Sequence, residues 1–129
     1  MIPNTTKKFI DNLIDYYISE AASYKQLAKT YSGEVQDVNA NAFGIIVGCI
    51  YSGFLQAYQN QKQKPLLEDT QEFTQMIKTR AAQIKRSILD AKIWYFEKDK
   101  PNHFLDDFFM YHSLAKSCFC DRIFSTDAN

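Results

Sequence analysis

Hydrophobic side chains recur at alternating steps of four and three residues through the first part of the chain. The side chains of this stripe are Ile10, Ile14, Tyr17, Ala21, Tyr24, Ala28 and Tyr31. That period is typical of an amphipathic helix. Pro3 suits a first helical turn, residues 4–6 (Asn, Thr, Thr) offer candidate N-caps, and Ser32-Gly33 suits a helix end. The pattern therefore predicts one long helix over about residues 4–31.

A second segment carries no charge at all between Asp37 and Lys62. Its centre is apolar on all sides, which is typical of a buried helix. We expect a central helix over about residues 41–58, with Ile46 and Ile50 among its most buried side chains. A membrane span would need about 18 to 20 strongly apolar residues, and glycines and polar residues interrupt this stretch, so a core helix is favoured.

Small side chains recur at every fourth position of this central helix: Ala40, Gly44, Gly48 and Ser52. Four residues bring a helix back to nearly the same face. We expect another backbone to approach that face closely.

The rest of the chain also has helical spacing. After a polar connection at 62–69, a third helix is predicted over about 70–97, with a candidate break near Trp94, and a fourth over about 103–124. The apolar stripe of the third helix is Phe73, Ile77, Ala81, Ile84, Ile88, Ala91 and Tyr95. With no strand pattern along the chain, we predict a single all-α domain, a compact helical bundle spanning residues 1–129.

Composition narrows the classes of function. Fifteen basic and 15 acidic residues give zero net charge, which argues against a nucleic-acid-binding protein and against a polybasic membrane-surface protein. Hydrophobic residues make up 46% and charged residues 23%, as in a soluble globular domain. Three cysteines without a disulfide pattern favour a reducing compartment. The apolar region of a signal peptide is missing, and the polar residues 125–129 predict no transmembrane anchor.

Candidate chemistry is sparse. The potential metal ligands His103, His112, Cys118 and Cys120 do not have the spacing of a compact zinc motif. No glycine-rich loop joins a strand to a helix, so no phosphate site is expected. We therefore predict no enzyme activity, no metal and no cofactor. The remaining class is a helical protein that binds other proteins, since helices around an apolar core can leave a groove for a partner helix.

The central segment resembles the first homology region of the Bcl-2 family. In that region, Asn-Trp-Gly-Arg-Ile-Val-Ala is followed by a second glycine nine residues after the first. Here the chain reads Asn-Ala-Phe-Gly-Ile-Ile-Val-Gly over residues 41–48, and Gly44 and Gly53 are nine residues apart. The segment KKFIDNLIDYYIS of the first helix is also similar to the family's first helix.

The resemblance implies a Bcl-2-like bundle that inhibits apoptosis. Survival-type members sequester an amphipathic death-motif helix of pro-apoptotic relatives, such as Bim, Bak and Bax, in a hydrophobic groove. The short chain is similar to divergent viral members, which implies a role in the cytoplasm of a host cell, peripherally at mitochondria. The groove residues implied are Asn41, Phe43, Gly44, Ile45, Val47, Gly48, Tyr51 and Ser52.

Three departures from the family pattern affect this expectation. Ile45 stands where the family has an arginine that pairs with an aspartate of the ligand helix. Residues 25–38 must form the groove wall with fewer residues than the family uses, and Asn41 is displaced by one position. A short or open groove would leave an apolar patch, which a homodimer could cover. A dimeric helical scaffold or signalling decoy without a helix-binding groove is therefore the alternative function.

Overall fold

Four helices make up most of residues 1–92, the part of the chain that the computed structural model describes. They are α1 (Asn4–Ser19), α2 (Ala21–Thr30), α3 (Val38–Asn60) and α4 (Leu67–Asp90). Helices account for 79% of the described residues, and no strand occurs among them. The predicted all-helical fold is confirmed for this range. The helix predicted over 103–124 lies outside the described residues.

The first predicted helix is two helices, so the prediction of a single one is wrong. The chain leaves helical geometry at Glu20 (φ −102°, ψ 15°), between α1 and α2. The hydrophobic stripe is nevertheless buried in both, up to Ala28, while Tyr31 is 51% exposed. The rings of Tyr17 and Tyr24 meet across the break, 5.2 Å apart between centroids. The break lets two short helices, rather than one long one, pack their apolar stripes into the same core.

The start of α1 also differs from the expectation. Pro3 occupies the N-cap position, and none of the three polar side chains after it caps the helix. The backbone carbonyl of Pro3 instead accepts a hydrogen bond from the N–H of Lys7 at 2.9 Å. Thr6, one of the expected caps, is only 5% exposed and lies on the buried side of α1.

Helix α3 is buried along one stripe, so the expectation of burial on all sides is wrong. The buried side chains recur every four residues: Ala42, Ile46, Ile50, Phe54 and Tyr58. Ile46 and Ile50 have no exposed surface, as predicted. Helices α1, α2 and α4 all contact α3, yet between them they cover only this stripe and its flanks.

Helix α4 starts earlier and ends earlier than the spacing predicts. It begins at Leu67, just after Pro65, and ends at Asp90 instead of near residue 97. The predicted stripe is buried at Phe73, Ile77, Ile84 and Ile88 and half-buried at Ala81. Phe73 stacks on Phe54 of α3, with 4.7 Å between ring centroids.

Candidate functional site

The candidate site lies on α3, whose first turn is fixed by a side-chain cap. The carboxylate of Asp37 accepts a hydrogen bond from the backbone N–H of Ala40 at 3.0 Å. This is the usual way in which an aspartate satisfies an otherwise unpaired N–H at a helix start. From there the helix runs 23 residues without a charged side chain.

Opposite the buried stripe is the surface that we call the outer face of α3. Its residues are all exposed: Ala40, Gly44, Gly48, Tyr51, Ser52 and Leu55. A Cβ atom placed on Gly44 or Gly48 would meet nothing within 4 Å. Within the described residues no neighbouring helix packs on these two glycines, so the close approach of another backbone to this face stays a prediction.

Two aromatic side chains of α3, one on the outer face and one at its flank, contact α4. Tyr51 is 38% exposed, and its ring lies 5.5 Å from the ring of Phe73. Phe43 is half-buried and lies under the ammonium of Lys85, 5.4 Å from the ring centroid. A cation therefore lies beside the segment that resembles the family motif, although it comes from α4 and not from α3.

The residues expected to line a groove divide into two sets. Gly44, Gly48, Tyr51 and Ser52 are exposed on the outer face. The half-buried set lies at the flanks of the helix and consists of Asn41, Phe43, Ile45 and Val47. All eight belong to one helix.

The segment expected to form a groove wall is helical only in part. Its first residues belong to α2, whereas residues 31–37 are all exposed and lie outside helices. Lys25 lies in this segment, and its ammonium donates to the carbonyls of Ile88 (2.9 Å) and Ala91 (3.1 Å) at the end of α4.

Sequence reasoning missed the glycine that packs most closely. A Cβ atom on Gly53 would lie 2.5 Å from Cδ1 of Leu13, so α1 and α3 approach each other at this point. Gly53 is offset by one position from the four-residue spacing of Gly44, Gly48 and Ser52. Spacing alone identifies a row of small residues, and it does not tell which of them faces a neighbouring helix.

A cluster of charged groups joins the start of the chain to α4. The ammonium of Met1 lies 2.9 Å from Oδ1 of Asp69, whose side chain is 6% exposed. Oδ2 of Asp69 accepts the backbone N–H of Leu66 at 3.0 Å. These two donors hold the pKa of Asp69 below its ordinary value, and the carboxylate in turn raises the pKa of the Met1 amino group. Burial, with Asp69 nearby, raises the pKa of Tyr58.

Glu72 extends this cluster by one helical turn. It accepts from the ammonium of Lys7 at 2.5 Å and from the backbone N–H of Ile2 at 2.9 Å. Lys7 and then Ile2 lower the pKa of Glu72. Ile2 is 1% exposed. The cluster therefore anchors the residues before α1 to the first turns of α4, which is a structural role.

No three His, Cys, Asp or Glu side chains within residues 1–92 are grouped so that they could hold a metal ion. The candidate ligands His103, His112, Cys118 and Cys120 lie outside the described residues. Cys49, on α3, is half-buried.

No family model, curated protein or solved structure in the comparisons matches the chain. Among residues 1–92, α3 is the one helix whose length and composition would suffice to cross a membrane. Of its most apolar stretch of 18 residues, 22% is buried inside the protein. The core helices of soluble proteins pass the same test of length and composition.

Proposed function

We propose that the chain is a survival-type Bcl-2 homologue that inhibits apoptosis by binding an amphipathic helix on the outer face of α3. The ligand would be the death-motif helix of a pro-apoptotic relative of the Bim, Bak or Bax type. The observation that carries the proposal is an exposed, charge-free helix face at the segment that resembles the family's first homology region.

The shape of the face suits a helical ligand. Packed helices lie about 8–10 Å apart, and small side chains allow the shorter distances. Gly44 and Gly48 are one helical turn apart and open to approach. Tyr51 and Leu55, 38% and 37% exposed, can contact the apolar side chains of a ligand. Apolar anchors at helical spacing are the usual way in which a groove receives an amphipathic helix.

The charge of the face favours an apolar mode of binding. The helix has no arginine at Ile45 and no other charge along its length. The ion pair made by the family's arginine would then be absent or supplied by a neighbour, and Lys85 beside Phe43 is placed for that. A role in the host-cell cytoplasm, peripherally at mitochondria, follows from the same proposal.

Calorimetric titration with a Bim-type peptide tests the proposal. Gly48→Glu places a charge on the outer face, where there is space for it, so the variant should fold and should melt at a temperature no lower than that of the parent chain. We expect it to lose at least about 2 kcal/mol of peptide binding, the range for a poorly paired charge at an interface. Gly33→Glu is the matched control: a Cβ atom there also meets nothing within 4 Å, and residue 33 lies in the turn after α2.

The outcome also separates the alternative function. The alternative predicts that the chain binds no death-motif peptide. It also predicts that sedimentation shows a dimer, which Gly48→Glu dissociates, and these two results together would indicate a dimeric scaffold rather than a helix-binding protein. A Gly48→Glu variant that still binds the peptide with unchanged affinity contradicts the use of the outer face.

A further inference from the structure

No helix-breaking residue marks the end of α4 at Asp90. Neither glycine nor proline occurs between Pro65 and Pro101. The apolar stripe continues past the end of the helix, since Ala91 and Tyr95 follow Ile84 and Ile88 at helical spacing. Yet Ala91 has φ −66° and ψ 124°, an extended conformation.

A side chain of another helix lies at this end. The ammonium of Lys25, on α2, donates to the carbonyl of Ile88 at 2.9 Å and to that of Ala91 at 3.1 Å. If α4 continued, the Ile88 carbonyl would accept the N–H of residue 92, four positions on. Lys25 supplies a donor in its place. It also binds a second carbonyl, that of Ala91, the first residue out of helical geometry.

The interactions within α4 itself do not produce the stop. Arg86 and Asp90 form an ion pair with the spacing of one turn, which supports a helix. The N–H of Ala91 makes only a long bond, 3.3 Å, to the Ile88 carbonyl. Cations are favoured near a helix C-terminus, where unpaired carbonyls carry partial negative charge.

We propose that Lys25 is a positioning residue that ends α4 and fixes the point at which the chain leaves the helix. This inference is independent of the proposed function. The contact between α2 and α4 then sets the length of α4. With the Lys25 ammonium in place α4 stops at Asp90, and without it the helix continues as the spacing of its apolar residues predicts.

Lys25→Met removes the ammonium and keeps an unbranched side chain of similar length, so it tests the role of Lys25 in the full chain. We expect the backbone chemical shifts of Ala91 and Lys92 to become helical. Lys8→Met, at an exposed position of α1, is the control and should leave both unchanged. Unchanged shifts at Ala91 in a folded Lys25→Met variant would overturn the proposal.

A second substitution keeps the test decisive if Lys25→Met folds poorly. Proline disfavours helical geometry in the residue before it and favours ψ near the value that Ala91 already has. Lys92→Pro should therefore restore the end of α4 in the Lys25→Met background. Recovery of the parent chemical shifts and melting temperature supports the proposal, whereas a double variant as perturbed as the single one overturns it.

Discussion

Two glycines of α3, five residues apart, have opposite surroundings. Gly48 faces open space, whereas a Cβ atom on Gly53 would lie 2.5 Å from the buried side chain of Leu13. A glycine inside a helix costs about 0.5–1 kcal/mol relative to alanine. We expect Gly48→Ala to raise the free energy of unfolding by about that amount. Gly53→Ala should give no such gain, because Leu13 would have to move within a packed core.

Urea unfolding of the two variants beside the parent chain measures this difference. Gly44→Ala is a second variant of the open kind and should behave like Gly48→Ala. Equal stabilisation by all three substitutions would contradict the close approach of α1 and α3 at Gly53.

Asp69 and Glu72 each bind their own hydrogen-bond donors, and this makes the free energy of unfolding depend on pH in the acid range. Their donors hold both pKa values below the ordinary 3.8 and 4.5 in the folded chain. The stabilisation is therefore complete above the unfolded-state values and is lost as pH falls through the lowered folded-state values. Unfolding free energies measured across the acid range should show this decline, and Asp69→Asn should reduce it. Asp90→Asn, at an exposed position of the same helix, should leave the decline intact; an Asp69→Asn variant with the parent's pH profile would refute the assignment.

Among the helices, α3 has no charged side chain, and this predicts how the affinity for a ligand depends on salt concentration. Apolar burial contributes roughly 25 cal/mol per Å² and is not screened, whereas ion pairs weaken with ionic strength. Affinity for a Bim-type peptide should change little between low and moderate salt, measured by calorimetry. A tenfold loss would mean that an ion pair contributes, and Lys85→Ala should then abolish the salt dependence if Lys85 is the cation involved.

Periodicity predicts which side chains of these helices are buried more reliably than where the helices end. Most of the buried apolar residues of α1, α2 and α4 follow from spacing, because burial of a stripe needs only a neighbour on that side. The break at Glu20 and the end at Asp90 were not predicted. The end coincides with a bond from Lys25, more than 60 residues earlier in the chain, and no local pattern reports such a contact.

At the scale of the whole described bundle, α1, α2 and α4 pack on one side of α3. That arrangement explains why the candidate site was predicted only in part. Charge-free composition and small residues at every fourth position identified the helix and its row of glycines. They could not show that this row is open, because an apolar sequence on all sides is equally compatible with burial and with an exposed binding surface.

The proposed binding of an amphipathic helix to the outer face of α3 can be tested on the backbone amide signals of four glycines. The chain has four glycines: Gly44 and Gly48 lie on the outer face, Gly53 faces Leu13, and Gly33 lies in the turn after α2. The measurement is a titration of the labelled chain with a Bim-type peptide, followed through the backbone amide resonances of these glycines. We expect the resonances of Gly44 and Gly48 to shift strongly while those of Gly33 and Gly53 stay nearly in place. Saturable binding that shifts Gly33 or Gly53 and leaves Gly44 and Gly48 unmoved, or no binding at all, would contradict the proposed binding.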